Sequence, residues 1–316
     1  MSGLEKSGLE KSGTENTTVV NGVAIDDGFA EAFPMAGTAI QITGINEKWV
    51  MEAARSMTGF ATSVIACGCE GGIDRVMSPE ETRDGRPGVR VLFFSFDAGG
   101  LEKQLTTRLG QCILTCPTSA CYADLETDSQ IDLGSGIRYF ADGWQISKKF
   151  EGKHFWRMPV MEGEFLCEAQ TGVTTDGVGG GNLLLMARTT AQALAASEAA
   201  VEAMRKVPDV IMPFPGGIVR SGSKVGGKYK GMMASTNDAY CPTLKGVTDT
   251  QLTEEIGSVL EIVIDGLTSQ AVADAMRVGI KAVTDLGPVD GALRIGAGNY
   301  GGNLGPHHYH LKDLLP

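Results

Sequence analysis

The order of apolar patterns along this sequence predicts an α/β (α+β) chain of two lobes with a cleft between them. Two observations carry that reading. Each half runs strand, helix, strand, then strand, helix, strand again, and in each half a glycine pair, Gly71-Gly72 or Gly216-Gly217, follows the second strand. The helices are apolar on one side only, so each must lie against a sheet. Such a repeat is the split βαβ, or ferredoxin-like, arrangement, here duplicated; the term describes topology and implies no iron. The expected division is a disordered tail over 1–18, an N-terminal lobe over 19–150 and a C-terminal lobe over 151–316.

In the tail, residues 2–13 repeat SGLEK without any apolar period. Residues 38–44 (TAIQITG) read as a strand. Asn46 then stands at an N-cap, with Trp49, Val50, Ala53, Ala54 and Met57 at helical spacing behind it. Residues 62–67 read as the second strand and 89–96 as the third. Leu101, Leu105, Leu109 and Ile113 recur on one helical face, and 137–140 read as the closing strand. In the second half, 182–187 is strand-like, and 190–206 is an alanine-rich helix with Leu194, Val201 and Met204 on one side. Residues 210–212 form a short strand, followed by a longer one at 260–264. Thr268 caps a helix with Val272, Met276, Ile280 and Val283 on one face, and 293–296 closes the set.

Bulk properties limit the function. A chain of 316 residues, 42% apolar and 21% charged, has ample material for a core. A formal charge of -11 gives no counterion-release affinity, so nucleic acid is set aside. No apolar run approaches the ~20 residues that cross a bilayer, and the N-terminus has no signal core. No membrane partner is therefore expected. Seven cysteines, an odd number, fit reduced thiols and a cytoplasmic location.

In 260–266 (LEIVIDG), alternation puts Leu260, Ile262 and Ile264 on one face and Glu261, Val263 and Asp265 on the other. Glu261 beside Val263 at a cleft would be desolvated, which raises a carboxyl pKa. From pattern alone, a glutamate on a solvated strand face is the stronger reading. The loop 213–226 (PFPGGIVRSGSKVG) holds Phe214, Gly216, Gly217, Ser221, Ser223 and Lys224. Its glycines let backbone amides approach a ligand, although a tight turn with a surface lysine has the same composition. It does not match a P-loop. Asn299 and Tyr300, within a glycine setting, offer an amide and a ring that can stack on a flat ligand; a turn with a packed tyrosine is the equal alternative. Asn237 and Thr243 flank another loop as polar contacts.

Cys112, Cys116 and Cys121 have C-x3-C-x4-C spacing, which is not that of a bacterial ferredoxin, and they read as core thiols. Cys67 and Cys69 lack zinc-ribbon spacing, and His307, His308 and His310 lack partners at a recognisable spacing. No metal is expected.

Several stretches act together: DGFAEAFPM at 27–35, DGRPG at 84–88, RLGQCILTCPT at 108–118, GEF at 163–165, PFPGGIVRSGSKVG at 213–226, CPTLKGV at 241–247, EIVIDG at 261–266 and AGNYGGNLG at 297–305. In this order the chain resembles the formylmethanofuran:tetrahydromethanopterin formyltransferases. The resemblance implies a formyl group passed between formylmethanofuran and N5 of tetrahydromethanopterin, in methanogenesis or formaldehyde oxidation. It implies a ternary complex without an acyl-enzyme, no permanently bound cofactor, and a homotetramer. It points to Glu261 as the acid and gives Ser221, Ser223 and Lys224 a use in holding an acidic coenzyme side chain. The N-terminal repeat and the terminal PHHYHLKDLLP depart from it and leave room for a further partner, such as a formylmethanofuran dehydrogenase or hydrolase complex. Two alternatives remain at this point: a non-catalytic or bifunctional assembly subunit of such a formyltransferase/hydrolase complex, and a redox protein with a cluster at the cysteines.

Overall fold

Strand β1 (Thr17–Val20) turns through Asn21-Gly22, both at positive φ, into β2 (Val23–Asp26). The structure, a computed structural model, describes residues 17–303 and 305–316. Most of the expected tail, residues 1–16, lies outside the described residues, but Thr17 and Thr18 already pair in β1.

The first lobe is built from β3 (Phe29–Thr43), α1 (Glu47–Thr58), β4 (Glu70–Met77), β5 (Gly88–Ser95), α2 (Ala98–Arg108) and β6 (Ala120–Ala123). Its sheet order is β4-β5-β3-β6, with every neighbour antiparallel. Asn46 caps α1 as expected, accepting from the Trp49 amide at 3.2 Å, and Val50, Ala53, Ala54 and Met57 are buried. Leu101, Leu105, Leu109 and Ile113 are also buried, although the helix widens into a π-turn over Leu109–Ile113.

Two expected strands are helical instead. Residues 62–67 contain a single helical turn, Val64–Cys67, because the carboxylate of Glu70 accepts the Val64 amide at 2.9 Å and caps its start. The strand begins only at Glu70, so Gly71 and Gly72 lie inside it; a Cβ on Gly71 would come within 2.5 Å of the Phe93 ring. Residues 137–140 belong to the short helices Gly134–Ile137 and Arg138–Ala141, with Tyr139 and Phe140 exposed. The sheet edge beside β6 is taken by β9 (Gly163–Glu168), which follows β7 (Ile146–Phe150) and β8 (Lys153–Val160). The division expected at 150/151 therefore falls in the β7–β8 turn, and 151–168 extend the first lobe's sheet.

The second lobe repeats the order with β10 (Thr174–Ala187), α3 (Thr190–Met204), β11 (Val210–Ile211), β12 (Ser258–Gly266), α4 (Ser269–Asp290) and β13 (Arg294–Gly296). Its sheet runs β11-β12-β10-β13, again antiparallel throughout. Thr268 caps α4, accepting from the Ala271 amide at 3.1 Å, and Val272, Met276, Ile280 and Val283 are buried. Helix α3 turns its small residues Ala193, Ala196 and Ala200 inward. Leu194, expected on that side, is 41% exposed, since the alanine face allows the closer approach to the core. The start of β10 pairs with the middle of β3, Gly177 opposite Met35 and Gly179 opposite Phe33, so one sheet passes through both lobes. Strand β14 (His307–His310) pairs with the first residues of β3.

Candidate active site

Strand β12 keeps the alternation read from its sequence. Leu260, Ile262 and Ile264 are buried on the face covered by α3 and α4. Glu261, Val263 and Asp265 line the opposite face. Asp265 is fully buried and accepts the Gly180 amide at 3.1 Å; burial and the charge of the neighbouring Glu70 carboxyl push its own carboxyl well up, which keeps it protonated. Four residues earlier, Glu261 is half-buried, and burial alone pushes its carboxyl up to about 7. A group so placed keeps about half its protons at neutral pH, far more than an exposed glutamate, and its protonated form can donate.

The loop after β11 folds back onto Glu261. Gly216 (φ 68°) and Gly217 (φ 86°) make a turn in the left-handed region that L side chains avoid. Beyond the turn, Val219 and Glu261 exchange backbone hydrogen bonds of 2.7 and 2.9 Å. Val219 is thus bridged to β12 at Glu261 itself. Ser223 hydrogen-bonds the phenol of Tyr300. Burial raises that phenol's pKa, the Ser223 bond lowers it, and the charges of Glu261 and Glu31 raise it. Tyr300 lies on the segment joining β13 to β14, its ring 6.0 Å from that of Phe33.

That segment is held from beneath. Glu31, fully buried on β3, accepts the amides of Tyr300 (2.6 Å), Gly302 (2.9 Å) and Gly305 (2.8 Å). Asn182 on β10 accepts the Gly298 amide at 2.5 Å and donates to the Gly298 carbonyl at 3.1 Å.

The expected site residues divide into four groups. Glu261, Ser223 and Tyr300 meet on one face. Lys224 opens a small hairpin beside them, but its ammonium is tied to Asp238. Asn237 precedes the short helix Asp238–Tyr240, with its Cβ 3.4 Å from the place a side chain on Gly222 would start. Ser221, Thr243 and Asn299 are exposed. Phe214, Gly216 and Gly217 line a groove of about 560 Å³ between the lobes, together with Arg55, Arg75 and Arg205. Glu261 does not line that groove.

None of the seven cysteines is disulfide-bonded; the Cys116 thiol donates to the Trp49 carbonyl, and Cys121 faces Cys167 across β6 and β9. His308 and His310 flank the ring of Phe29 at 4.7 and 5.2 Å.

Two family models cover this architecture lobe by lobe. Residues 18–160 match the formylmethanofuran-tetrahydromethanopterin formyltransferase model, and 163–314 match the model of that family's proximal lobe. The chain belongs to this formyltransferase family. It is 60% identical to the formylmethanofuran–tetrahydromethanopterin formyltransferase of Methylococcus capsulatus over 297 residues, 94% of this chain and 99% of that one. A chain of the Methylorubrum extorquens formyltransferase/hydrolase complex, solved with methylofuran, superposes with a TM-score of 0.93 at 57% identity, covering 95% of this chain and 99% of that one. The solved Methanosarcina barkeri formyltransferase gives 0.88 at 43% identity, covering 94% and 100%.

Sequence reasoning on this formyltransferase missed Glu31, Asn182 and the Glu70–Asp265 pair. One signal was present. In 30–32 (AEA) a carboxylate stands between two small residues in the apolar stretch 29–37, where burial without dedicated donors is costly. The amides that satisfy it lie more than 260 residues away in the chain, at 269 to 274 positions' separation, and no local pattern reports them.

Proposed function

We propose that formyl transfer in this chain is direct, within a ternary complex on the Glu261–Ser223–Tyr300 face, and that Glu261 is its acid. N5 of tetrahydromethanopterin attacks the formyl carbon of formylmethanofuran, so a C–N bond forms and the carbonyl becomes an oxyanion. The protonated carboxyl of Glu261 donates a hydrogen bond to that oxygen. Collapse restores the carbonyl and breaks the bond to the methanofuran nitrogen. The proton lost from N5 is the one the leaving amine gains, and Glu261 is placed to relay it. Tyr300 and Asn299 are assigned to the flat ring of a coenzyme, and Ser221, Ser223 and Lys224 to an acidic side chain. Asn237 and Thr243 serve as polar contacts at the loop edge. Phe214, Gly216 and Gly217 shape the turn that brings Val219 to Glu261.

The single observation that carries the reading is a carboxyl raised to about 7 by burial, beside a hydrogen-bonded tyrosine and serine. No permanently bound cofactor enters this chemistry. The two lobes are read as copies of one ferredoxin-like unit, which their common strand order supports. A homotetramer follows from the family resemblance, and seven unbonded cysteines favour a reducing, cytoplasmic setting.

A second reading has one observation behind it, the superposition on a chain of a formyltransferase/hydrolase complex. On that reading the protein works as a subunit beside a hydrolase. The test is to mix purified protein with formylmethanofuran and tetrahydromethanopterin and follow the pterin's ultraviolet change. Transfer at an enzymatic rate supports the first reading. Folded protein without transfer, and with a co-purifying hydrolase, supports the second.

A further inference from the structure

We propose that Glu31 is a positioning residue for this reaction: by gathering the backbone amides of Tyr300, Gly302 and Gly305 around its buried carboxylate, it fixes the loop that presents Tyr300 to Ser223 and Glu261. The inference rests on the assignment of Tyr300 to the reaction face.

A buried carboxylate is costly unless dedicated donors replace its water. Here those donors come from one loop. Oε2 accepts from Tyr300 at 2.6 Å and from Gly302 at 2.9 Å, and Oε1 accepts from Gly305 at 2.8 Å. Amides so close in sequence converge on one point only if the backbone curls. Gly301 (φ 86°) and Gly302 (φ 71°) supply the curl as consecutive left-handed residues. A side chain at Gly302 would also press on Phe29, at 3.3 Å. The carboxylate therefore templates a conformation that the loop would otherwise share with many others.

The loop's ends are secured without Glu31. Upstream, Asn182 bonds both backbone groups of Gly298. Downstream, β14 pairs with β3, with Tyr309 opposite Ala30. What Glu31 adds is the shape of the stretch between those anchors, and Tyr300 is the residue of that stretch that reaches Ser223. Its effect should thus fall on turnover, through Tyr300, more than on the fold.

The test is a double-mutant cycle on the full-length protein, with formyl transfer as readout. Glu31→Gln keeps one acceptor oxygen but turns an NH2 group toward one of the amides. It should stay folded and lower kcat on the order of 10-fold, with a smaller change in KM. In a Tyr300→Ala background the same substitution should cost less than about 2-fold, because the group it positions has already been removed. Equal losses in both backgrounds would overturn the proposal, since a general structural defect is indifferent to Tyr300. An unchanged kcat for Glu31→Gln would overturn it as well. A wild-type rate for Tyr300→Ala alone would remove Tyr300 from the reaction face and take the Glu31 proposal with it, whereas additive losses leave Tyr300 in place. If Glu31→Gln does not fold, Glu31→Asp, which keeps the charge but shortens its reach to the Tyr300, Gly302 and Gly305 amides, goes through the same cycle and is judged by the same outcomes.

Discussion

In β5, Val89, Val91 and Phe93 face the helices and Arg90 points to the other side of the sheet; in β12, Leu260, Ile262 and Ile264 face the helices and Glu261 points to that same side. Each is the third strand of its lobe, and each carries a charged residue between apolar neighbours. Their surroundings differ. Arg90 is ringed by Asp74 (2.7 Å), Asp124 (2.6 Å) and Asp209 (2.6 Å), which hold its guanidinium firmly charged. Asp209 comes from the second lobe, just ahead of β11, so this cluster also ties the lobes together. Glu261 receives no such compensation, and burial raises its carboxyl to about 7, so that it keeps a proton far above the usual carboxylate range. A saturated ion cluster has nothing left to give a ligand. An uncompensated carboxyl holds a proton that a developing oxyanion can use. On the proposed mechanism, corresponding strands of the two lobes carry a structural charge in one case and a chemical one in the other.

The comparison breaks first, and hardest, at Arg90. Arg90→Ala leaves Asp74 buried beside an empty site and should cost about 3–5 kcal/mol of unfolding free energy. Urea titration at neutral pH measures it, and a loss below about 1 kcal/mol would show a solvated cluster of little weight. Glu261→Gln should do the reverse: keep the fold and bind both substrates, yet lower kcat on the order of 10²-fold. Turnover within a few-fold of wild type would take the acid role from Glu261.

The pH dependence sharpens the same point. Wild-type kcat should fall as pH rises through about 7, where Glu261 loses its proton, and this limb should vanish in Glu261→Gln. Stability follows the same group. An unfolded glutamate ionises near ~4.3, well below the folded value, so the unfolded state gains between those two pH values and native stability declines across that window. Glu261→Gln should accordingly stabilise the protein by about 2–3 kcal/mol at pH 8 and by almost nothing at pH 4. Equal unfolding midpoints at both pH values would mean that Glu261 ionises freely.

The smallest effect is expected at Lys224. It already serves Asp238, so Lys224→Ala should raise KM for one substrate a few-fold and leave kcat nearly unchanged. Unchanged KM values for both substrates would confine Lys224 to its pairing with Asp238.

Much of both lobes was legible in the sequence. Alternation placed Glu261 opposite Ile262, and the Asn46 and Thr268 caps stand at the expected starts of α1 and α4. The misread segments share a cause. The β-branched Val64 and Ile65 suit a strand, but the Glu70 carboxylate captures the Val64 amide and closes a helical turn. The segment at 137–140 is apolar enough for a strand, yet the edge beside β6 is filled by β9. In both cases a partner from elsewhere in the chain overrode local preference.

What the sequence by itself determined is the periodicity: which residues of each helix and strand face a core, and hence the two β-α-β-β-α-β runs. Such patterns are local, because side-chain direction repeats every two or 3.6 residues whatever the partner. Only the tertiary structure decided that Arg90 would be saturated and Glu261 left uncompensated. It alone also decided that Glu31 would collect amides from the far end of the chain. A buried charge takes its character from the groups that replace its water, and in this protein those groups come from other strands and loops.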